Sequence, residues 1–382
     1  MSPQSLPRTP GIFGSRRCIF DSSVPRFTEP WKPCIFIPKP RASGECRLNR
    51  AVGRLERIVY IHVGPAKTGT TAVQHILRAH DSSVIVYPKA GLWADISHHN
   101  LVFNYFRDYS RPEMVREDVG DLFRRIVSEV NASRENVVIS SEVLARRNRL
   151  AEFVEALLSK LGPGFRAQLI FVVRDQLELA ASTYNQRVKD SVTRERRDPD
   201  EFLAQRAAHL CYAPILRRLQ RTGISLSVLN YHPAQGLAAR FLEHIGFPSG
   251  EIAESPLRNV SMSTRALIAT LVLNRSSMSR QRRNQIVSTL RGMPRRFAPS
   301  RLIFGSQAVA AAEEHFGPDR TFLRDVWRIE FPPSQIQPSA NLFALTSDEF
   351  AELSVALTGL GPDSDAMLQD LGAYVRDIEA KK

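Results

Sequence analysis

What this sequence has little of narrows the field first. Its four cysteines, Cys18, Cys34, Cys46 and Cys211, form no C-x-x-C pair, and three of them fall in the N-terminal tail. Such spacing excludes a zinc ribbon or a disulfide scaffold, so all four read as reduced thiols that hold neither a metal nor a bridge. No apolar run approaches the roughly 20 residues that a membrane-spanning helix needs, and the N-terminus carries no continuous apolar segment of the secretory kind. The expectation is a cytoplasmic chain with no membrane span. Acid is also in deficit, since 39 Asp and Glu stand against 52 Lys and Arg, a formal net charge of +13. That balance suits an anionic ligand. No helix-turn-helix, zinc finger or aromatic-basic motif accompanies the charge, so a nucleic-acid partner is not expected.

With 382 residues and 43% hydrophobic content, the chain can bury a sizeable core. Residues 1–56, rich in Pro, Ser and Arg and without periodicity, read as a disordered tail, with Val52 as an alternative start. Organisation begins at Arg57, where RIVYIHVGPAKTGTTAVQHILRAH runs to His80. Ile58 to Val63 is an apolar β-branched strand. Gly64 to Gly69 is a glycine-bounded loop, and Thr70 opens a helix with Val73, Ile76 and Leu77 at helical spacing. A loop closing onto a helix N-terminus gathers free N–H groups and the positive dipole end at one place, so an anion belongs there. The nucleoside-triphosphate loop G-x-x-x-x-G-K-[ST] would have lysine where Thr70 stands; here the lysine lies inside the loop, at Lys67.

Four further strands follow, alternating with helices: Ser83 to Tyr87, the run Asn136 to Glu142 that ends in Ser140, Ser141 and Glu142, Ala167 to Arg174, and Ser225 to Tyr231. The βα alternation predicts a doubly wound parallel sheet, whose ligand crevice lies beyond the carboxyl ends of the strands. Glu142, after Ser140 and Ser141, is therefore aimed at the same edge as the phosphate loop; its alternative role is to complement the dipole of a helix predicted over Val143 to Leu161. Helices are also predicted over Met114 to Val130 and Glu201 to Leu219. The loop YPKAGLWADISHHN holds His98 and His99. Adjacent residues cannot share one face of a regular element, so at most one of the two faces the site, and no third ligand at useful spacing makes them a metal centre. Arg194, Arg196 and Arg197 read as a solvated charged loop rather than an acceptor contact. The basic run from Arg275 to Arg301 includes Arg280, Arg282, Arg283, Arg291, Arg295 and Arg296, to none of which a role is assigned.

Lys67, Thr68, Gly69, Thr70 and Thr71 resemble the K-[TS]-G-T-T phosphosulfate loop of sulfotransferases that use 3′-phosphoadenosine-5′-phosphosulfate (PAPS). Arg174 at a strand end and Ser182 eight residues on reproduce a second signature of that family. Over residues 57–275 the chain is similar to bacterial sulfotransferase-family proteins that carry K-T-G-T-T, Y-P…H-H, S-S-E and R…S-x-Y-N-Q-R in this order. The resemblance implies a P-loop NTPase-like doubly wound parallel sheet flanked by helices; beyond it, residues 276–382 read from their own pattern as a basic segment and a helical C-terminal extension. It implies PAPS as donor, no metal, and transfer of a sulfuryl group to a hydroxyl or amine, with a carbohydrate as acceptor. Gly64, Lys67, Thr68, Gly69, Thr70 and Thr71 would hold the 5′-phosphosulfate, with Lys67 as the cation for the departing phosphate. Arg174 and Ser182 would bind the 3′-phosphate. The family's base is a histidine or a glutamate; by topology Glu142 comes first, then His99, then His98. The glycine-and-lysine pattern late in the animal cytosolic enzymes is absent here.

Two other classes compete. A nucleoside-triphosphate phosphotransferase with a deviant loop lacks the Walker lysine and a clean acidic strand end for magnesium. A non-catalytic polyanion binder rests on net charge alone.

Overall fold

The computed structural model describes residues 56–79, 84–94, 96–110, 114–231, 237–247, 262–292, 304–334, 336, 345, 347–358 and 362–380. The tail with Cys18, Cys34, Cys46 and Val52 lies outside the described residues, as do Arg295 and Arg296. By compactness the chain divides between Gly53 and Arg54, and the elements below belong to the second unit, residues 54–382.

Five strands, β1 (Arg57–His62), β2 (Ile85–Val86), β3 (Asn136–Ser140), β4 (Phe165–Val173) and β5 (Ser225–Asn230), form one sheet. Every pairing is parallel and the order is β2-β3-β1-β4-β5. The flanking helices in this part of the chain are α1 (Thr70–Ala79), α2 (His99–Phe106), α3 (Val119–Asn131), α4 (Leu150–Leu161), α5 (Gln176–Lys189), α6 (Pro199–Arg206), α7 (Ala213–Gln220) and α8 (Leu237–His244). Successive strand residues point to opposite faces, and both faces are apolar, as a sheet covered on both sides requires. Val59, Ile61, Val137, Ile139, Leu169 and Phe171 pack with α2, α3, α4 and α7 in one core. Tyr60, Val138, Ile170 and Val172 face the other way, onto Val73, Ile76 and Leu77 of α1 and Leu237 and Phe241 of α8. The sheet is thus wound on both faces. After β1 the chain moves outward to β2 and returns to β3, then crosses to the other side of β1 for β4 and β5. The end of β1 is therefore the switch point, where open parallel sheets bind their ligands.

Three helix boundaries differ from the pattern reading, each for a local reason. α3 starts at Val119 rather than Met114, because the Asp118 carboxylate caps it by accepting the Asp121 N–H at 3.0 Å. No helix begins at Val143. A short 3-10 turn, Leu144–Arg146, is followed by extended backbone at Arg147, whose guanidinium is 2.5 Å from Asp108, and α4 begins only at Leu150. Glu142 consequently sits in a turn and not on a helix start. The helix predicted over Glu201 to Leu219 is split into α6, a 3-10 turn (Ala207–Leu210) and α7. Pro214 in the first turn of α7 has no N–H to continue a helix, and buried Asp319 accepts the Tyr212 and Ala213 N–H groups at 2.9 and 2.7 Å instead.

The C-terminal helices are α9 (Thr264–Arg275), α10 (Arg280–Gly292), α11 (Ser306–Trp327), α12 (Ser347–Leu357) and α13 (Pro362–Ala380). α9 is buried between α5 and the last two helices, its Leu267, Leu271 and Val272 sharing a core with Tyr184, Val188, Phe202, Leu353 and Leu371. Arg283 of the basic run is wholly buried, its Nη2 donating to the Val188 carbonyl at 2.8 Å. Cys211 is a free thiol. Among the described residues no helix is long and apolar enough to cross a membrane.

Candidate active site

The loop after β1 is held open by backbone geometry. The Val63 N–H continues the pairing to β4 by donating to the Ile170 carbonyl at 2.9 Å. Beyond it Lys67 adopts φ 72° and Gly69 φ 85°, and the Thr68 hydroxyl, fully buried, donates to the Pro65 carbonyl at 2.9 Å. A left-handed lysine costs about 1–2 kcal/mol, which the loop must recover elsewhere. Gly64 is required by close approach, since a Cβ there would lie 2.9 Å from the Val172 nitrogen and 3.1 Å from His62 Nε2. The loop feeds Thr70 and Thr71 into the first turn of α1, whose leading N–H groups lack intrahelical acceptors. The Lys67 ammonium reaches Gln186 Oε1 of α5 at 3.2 Å. Burial lowers its pKa, while the charges of Glu142 and Asp190 oppose that shift.

β3 delivers the second half of the site, because it neighbours β1 and ends level with it. Thr70 Oγ1 donates to Glu142 Oε1, and Gln74 Nε2, one turn later on α1, donates to Ser140 Oγ at 3.0 Å. The second oxygen of Glu142 lies 3.2 Å from His99 Nε2, and His99 Nδ1 is 2.7 Å from Ser141 Oγ. A carboxylate and an imidazole thus stand side by side against the end of the phosphate loop.

The two adjacent histidines part company. His98 is fully buried, and its Nδ1 accepts the Ser140 N–H at 3.2 Å. Its Nε2 must then carry the proton and donate to the Pro88 carbonyl at 2.9 Å. Burial pushes its pKa down to about 3. With both nitrogens committed to backbone, His98 anchors β3 and has no lone pair to offer a substrate. His62, at the end of β1, is also buried, with Nδ1 2.9 Å from Ser140 Oγ. Burial lowers its pKa to about 4, Glu142 opposing and His99 assisting the shift.

Arg174 follows β4 on the opposite side of the loop. Its Nη1 donates to the Lys67 carbonyl at 2.9 Å, its Nε to Glu178 Oε2 at 3.2 Å, and its guanidinium sits 4.9 Å from the Tyr231 ring centre. The Tyr212 hydroxyl fixes the Arg174 backbone from below, donating to its carbonyl at 2.7 Å and accepting its N–H at 3.0 Å. Asp175 caps α5 by accepting the Leu177 and Glu178 N–H groups at 3.0 and 3.1 Å, and Ser182 lies half-buried two turns into that helix. The loop, Glu142, His99 and Arg174 therefore meet at one edge, and His98 lies behind it. Sequence reasoning missed His62, Gln74, Gln186 and Tyr231. Gln74 was within reach, because it follows Thr70 by four residues and so shares its helix face.

Compared with models of known protein families, the chain matches none, and no curated protein matches it. Among solved structures it is similar to a sulfotransferase from Alicyclobacillus acidocaldarius at 16% identity and a TM-score of 0.37, over 56% of this chain and 91% of that one. It is also similar to a structure of the PezAT chromosomal toxin–antitoxin system of Streptococcus pneumoniae at 14% identity and a TM-score of 0.27, over 62% of this chain and 87% of that one.

Proposed function

We propose that this chain is a sulfotransferase that moves a sulfuryl group from PAPS to a hydroxyl or amine of a carbohydrate acceptor. The observation that carries the reading is the joining of loop and carboxylate: Thr70, in the K-T-G-T-T loop, hydrogen-bonds Glu142, whose other oxygen meets His99. In this scheme the loop N–H groups, Lys67, Thr70 and Thr71 hold the 5′-phosphosulfate. Thr68 shapes the loop from within, since its hydroxyl is committed to Pro65. Arg174 and Ser182 take the 3′-phosphate. Glu142 removes the acceptor proton, with His99 aligned on its second oxygen as the onward proton path. The acceptor oxygen then attacks sulfur in line, the bond from sulfur to the 5′-phosphate oxygen breaks, and Lys67 with the loop stabilises the charge left on that phosphate. The products are adenosine 3′,5′-bisphosphate and a sulfate ester, or a sulfamate where the acceptor is an amine. No step calls on a metal.

Thermal unfolding with added nucleotide tests this directly. A ligand at a hundredfold its Kd stabilises by about 2.7 kcal/mol, which raises the midpoint by several degrees. The bisphosphate product in EDTA should produce such a shift, and 5′-AMP at the same concentration a much smaller one. A shift seen only with ATP and magnesium would overturn the reading in favour of phosphoryl transfer.

A further inference from the structure

Arg174 stands one residue beyond the end of β4, where the neighbouring strand also stops. The Tyr212 hydroxyl supplies the pairing that a strand would have given: it donates to the Arg174 carbonyl at 2.7 Å and accepts the Arg174 N–H at 3.0 Å. Tyr212 is buried, and its backbone is held in turn by Asp319 of α11, which accepts the Tyr212 and Ala213 N–H groups at 2.9 and 2.7 Å. A small rotation of the peptide at Arg174 is amplified along the side chain. A guanidinium fork grips a phosphate only when its N–H groups are aligned with the oxygens, so this backbone clamp bears on recognition.

On the other side of Arg174 the same helix grips the start of α5. Asp319 Oδ2 accepts Gln176 Nε2 at 2.8 Å, while Arg320 donates through Nη2 to Asp175 Oδ2 at 3.1 Å and through Nε to Gln176 Oε1 at 3.2 Å. Asp175 caps α5, whose first turn presents Glu178 to Arg174 Nε. Beneath these bonds Leu177 and Ala180 of α5 pack with Val309, Ala312 and Phe316 of α11. The far end of α5 is fixed by a separate device. Arg187 Nε and Arg197 Nη2 meet the buried Glu195 carboxylate at 3.1 and 2.6 Å, which ties down the loop expected to be solvated. The contacts of α11 therefore bear on Arg174 and the first turn of α5, and the other end of the helix has its own anchor.

We infer that Tyr212 and Asp319 are positioning residues for the 3′-phosphate: through them α11, in the helical C-terminal extension, sets where the Arg174 guanidinium stands and so how strongly the site prefers a nucleotide phosphorylated at its 3′ position. The inference rests on the sulfotransferase reading, which gives that phosphate to Arg174. The side chains of the 5′-phosphosulfate loop are held elsewhere, Thr68 by Pro65, Lys67 by Gln186 and Thr70 by Glu142. Loss of the Tyr212 hydroxyl thus falls on recognition of one phosphate and spares the other.

The test titrates adenosine 3′,5′-bisphosphate and 5′-AMP by calorimetry into wild type, Tyr212→Phe, Asp319→Asn, Arg174→Ala and the double variant Tyr212→Phe with Arg174→Ala, at a temperature where circular dichroism shows each folded. Tyr212→Phe should weaken bisphosphate binding at least about fivefold, the scale of one or two lost buried hydrogen bonds, and leave 5′-AMP binding within about twofold of wild type. Asp319→Asn, which keeps one acceptor oxygen, should lower the same ratio of affinities, and it carries the test if Tyr212→Phe does not fold. With Arg174 already replaced by alanine, Tyr212→Phe should have no further effect on bisphosphate affinity, because nothing is left to position. Tyr87→Phe is the control: it strips the Ile96 carbonyl of its hydroxyl donor at 2.8 Å and should lower stability with the ratio unchanged. An unchanged ratio in the folded Tyr212 and Asp319 variants, an equal loss from Tyr212→Phe with and without Arg174, or an equal fall in the ratio in Tyr87→Phe would overturn the inference. A wild type that fails to bind the bisphosphate would instead overturn the reading beneath it, so the two failures are distinguishable.

Discussion

Acidification should loosen this protein from within the site, through two histidines that are buried neutral. His98 spans from the Ser140 N–H to the Pro88 carbonyl, and burial holds its pKa at about 3, against an ordinary 6.5. His62 is held at about 4, also chiefly by burial. Well above pH 6.5 neither ring carries its second proton in the folded or the unfolded chain, so neither contributes to pH dependence. As pH falls below 6.5 the unfolded chain takes up a proton at each ring and the folded chain does not, and stability drops by about 1.4 kcal/mol per pH unit for each ring. By pH 5 the loss amounts to about 2 kcal/mol per histidine, or about 4 kcal/mol together. The drop continues towards the folded values near 4 and 3. Protonating Nδ1 of His98 would set its new N–H against the Ser140 N–H, so the end of β3 and Glu142 behind it should lose their anchor. Urea unfolding, followed by tryptophan fluorescence at pH 7.5, 6 and 5, measures the effect. His98→Gln keeps an acceptor and a donor without a titrating group and should reduce the pH slope by close to one proton. Equal stability at pH 7.5 and 5, or an unchanged slope in His98→Gln, would refute the reasoning.

Other substitutions probe separate parts of the account. Asp319→Ala removes the acceptor of Tyr212 N–H, Ala213 N–H and Gln176 Nε2 in a buried place and should cost about 3–5 kcal/mol in urea unfolding, by leaving those donors unpaired. Gly64→Ala forces a methyl group against the Val172 backbone nitrogen at 2.9 Å and should cost about 1–3 kcal/mol in stability. It should also weaken bisphosphate binding, as read by calorimetry. Arg174→Ala strips the Lys67 carbonyl and Glu178 of a charged partner and should weaken bisphosphate binding by at least about tenfold, with 5′-AMP affected far less. Glu142→Gln retains an acceptor for Thr70 and should leave bisphosphate affinity within a few-fold of wild type. Once an acceptor is in hand, the same variant should lower turnover by about 10²–10⁴-fold.

Much of the fold was legible because the strands are short apolar runs that alternate with amphipathic helices, and a sheet buried on both faces leaves that imprint. The helix ends were less legible. Their positions depend on contacts far along the chain, such as Asp319 claiming the N-terminus of α7 and Asp108 drawing Arg147 out of helical geometry. The loop could be read because close approach restricts residue type at Gly64 and a left-handed backbone restricts it at Gly69, just before a helix. Glu142 could be aimed at the edge by topology alone, but its contacts with Thr70 and His99 join residues 72 and 43 positions apart, beyond the reach of local pattern. His62 ends an apolar strand and looked like any strand residue.

The central claim is that the loop and Arg174 together read a nucleotide bearing phosphates at both its 5′ and 3′ positions, without a metal. Calorimetric titration of the purified protein with adenosine 3′,5′-bisphosphate in EDTA, beside Lys67→Ala and Arg174→Ala, measures it most directly. Wild type should bind saturably and one to one, and each variant at least about tenfold more weakly. Absence of binding by wild type, together with ATP binding once magnesium replaces EDTA, would contradict it.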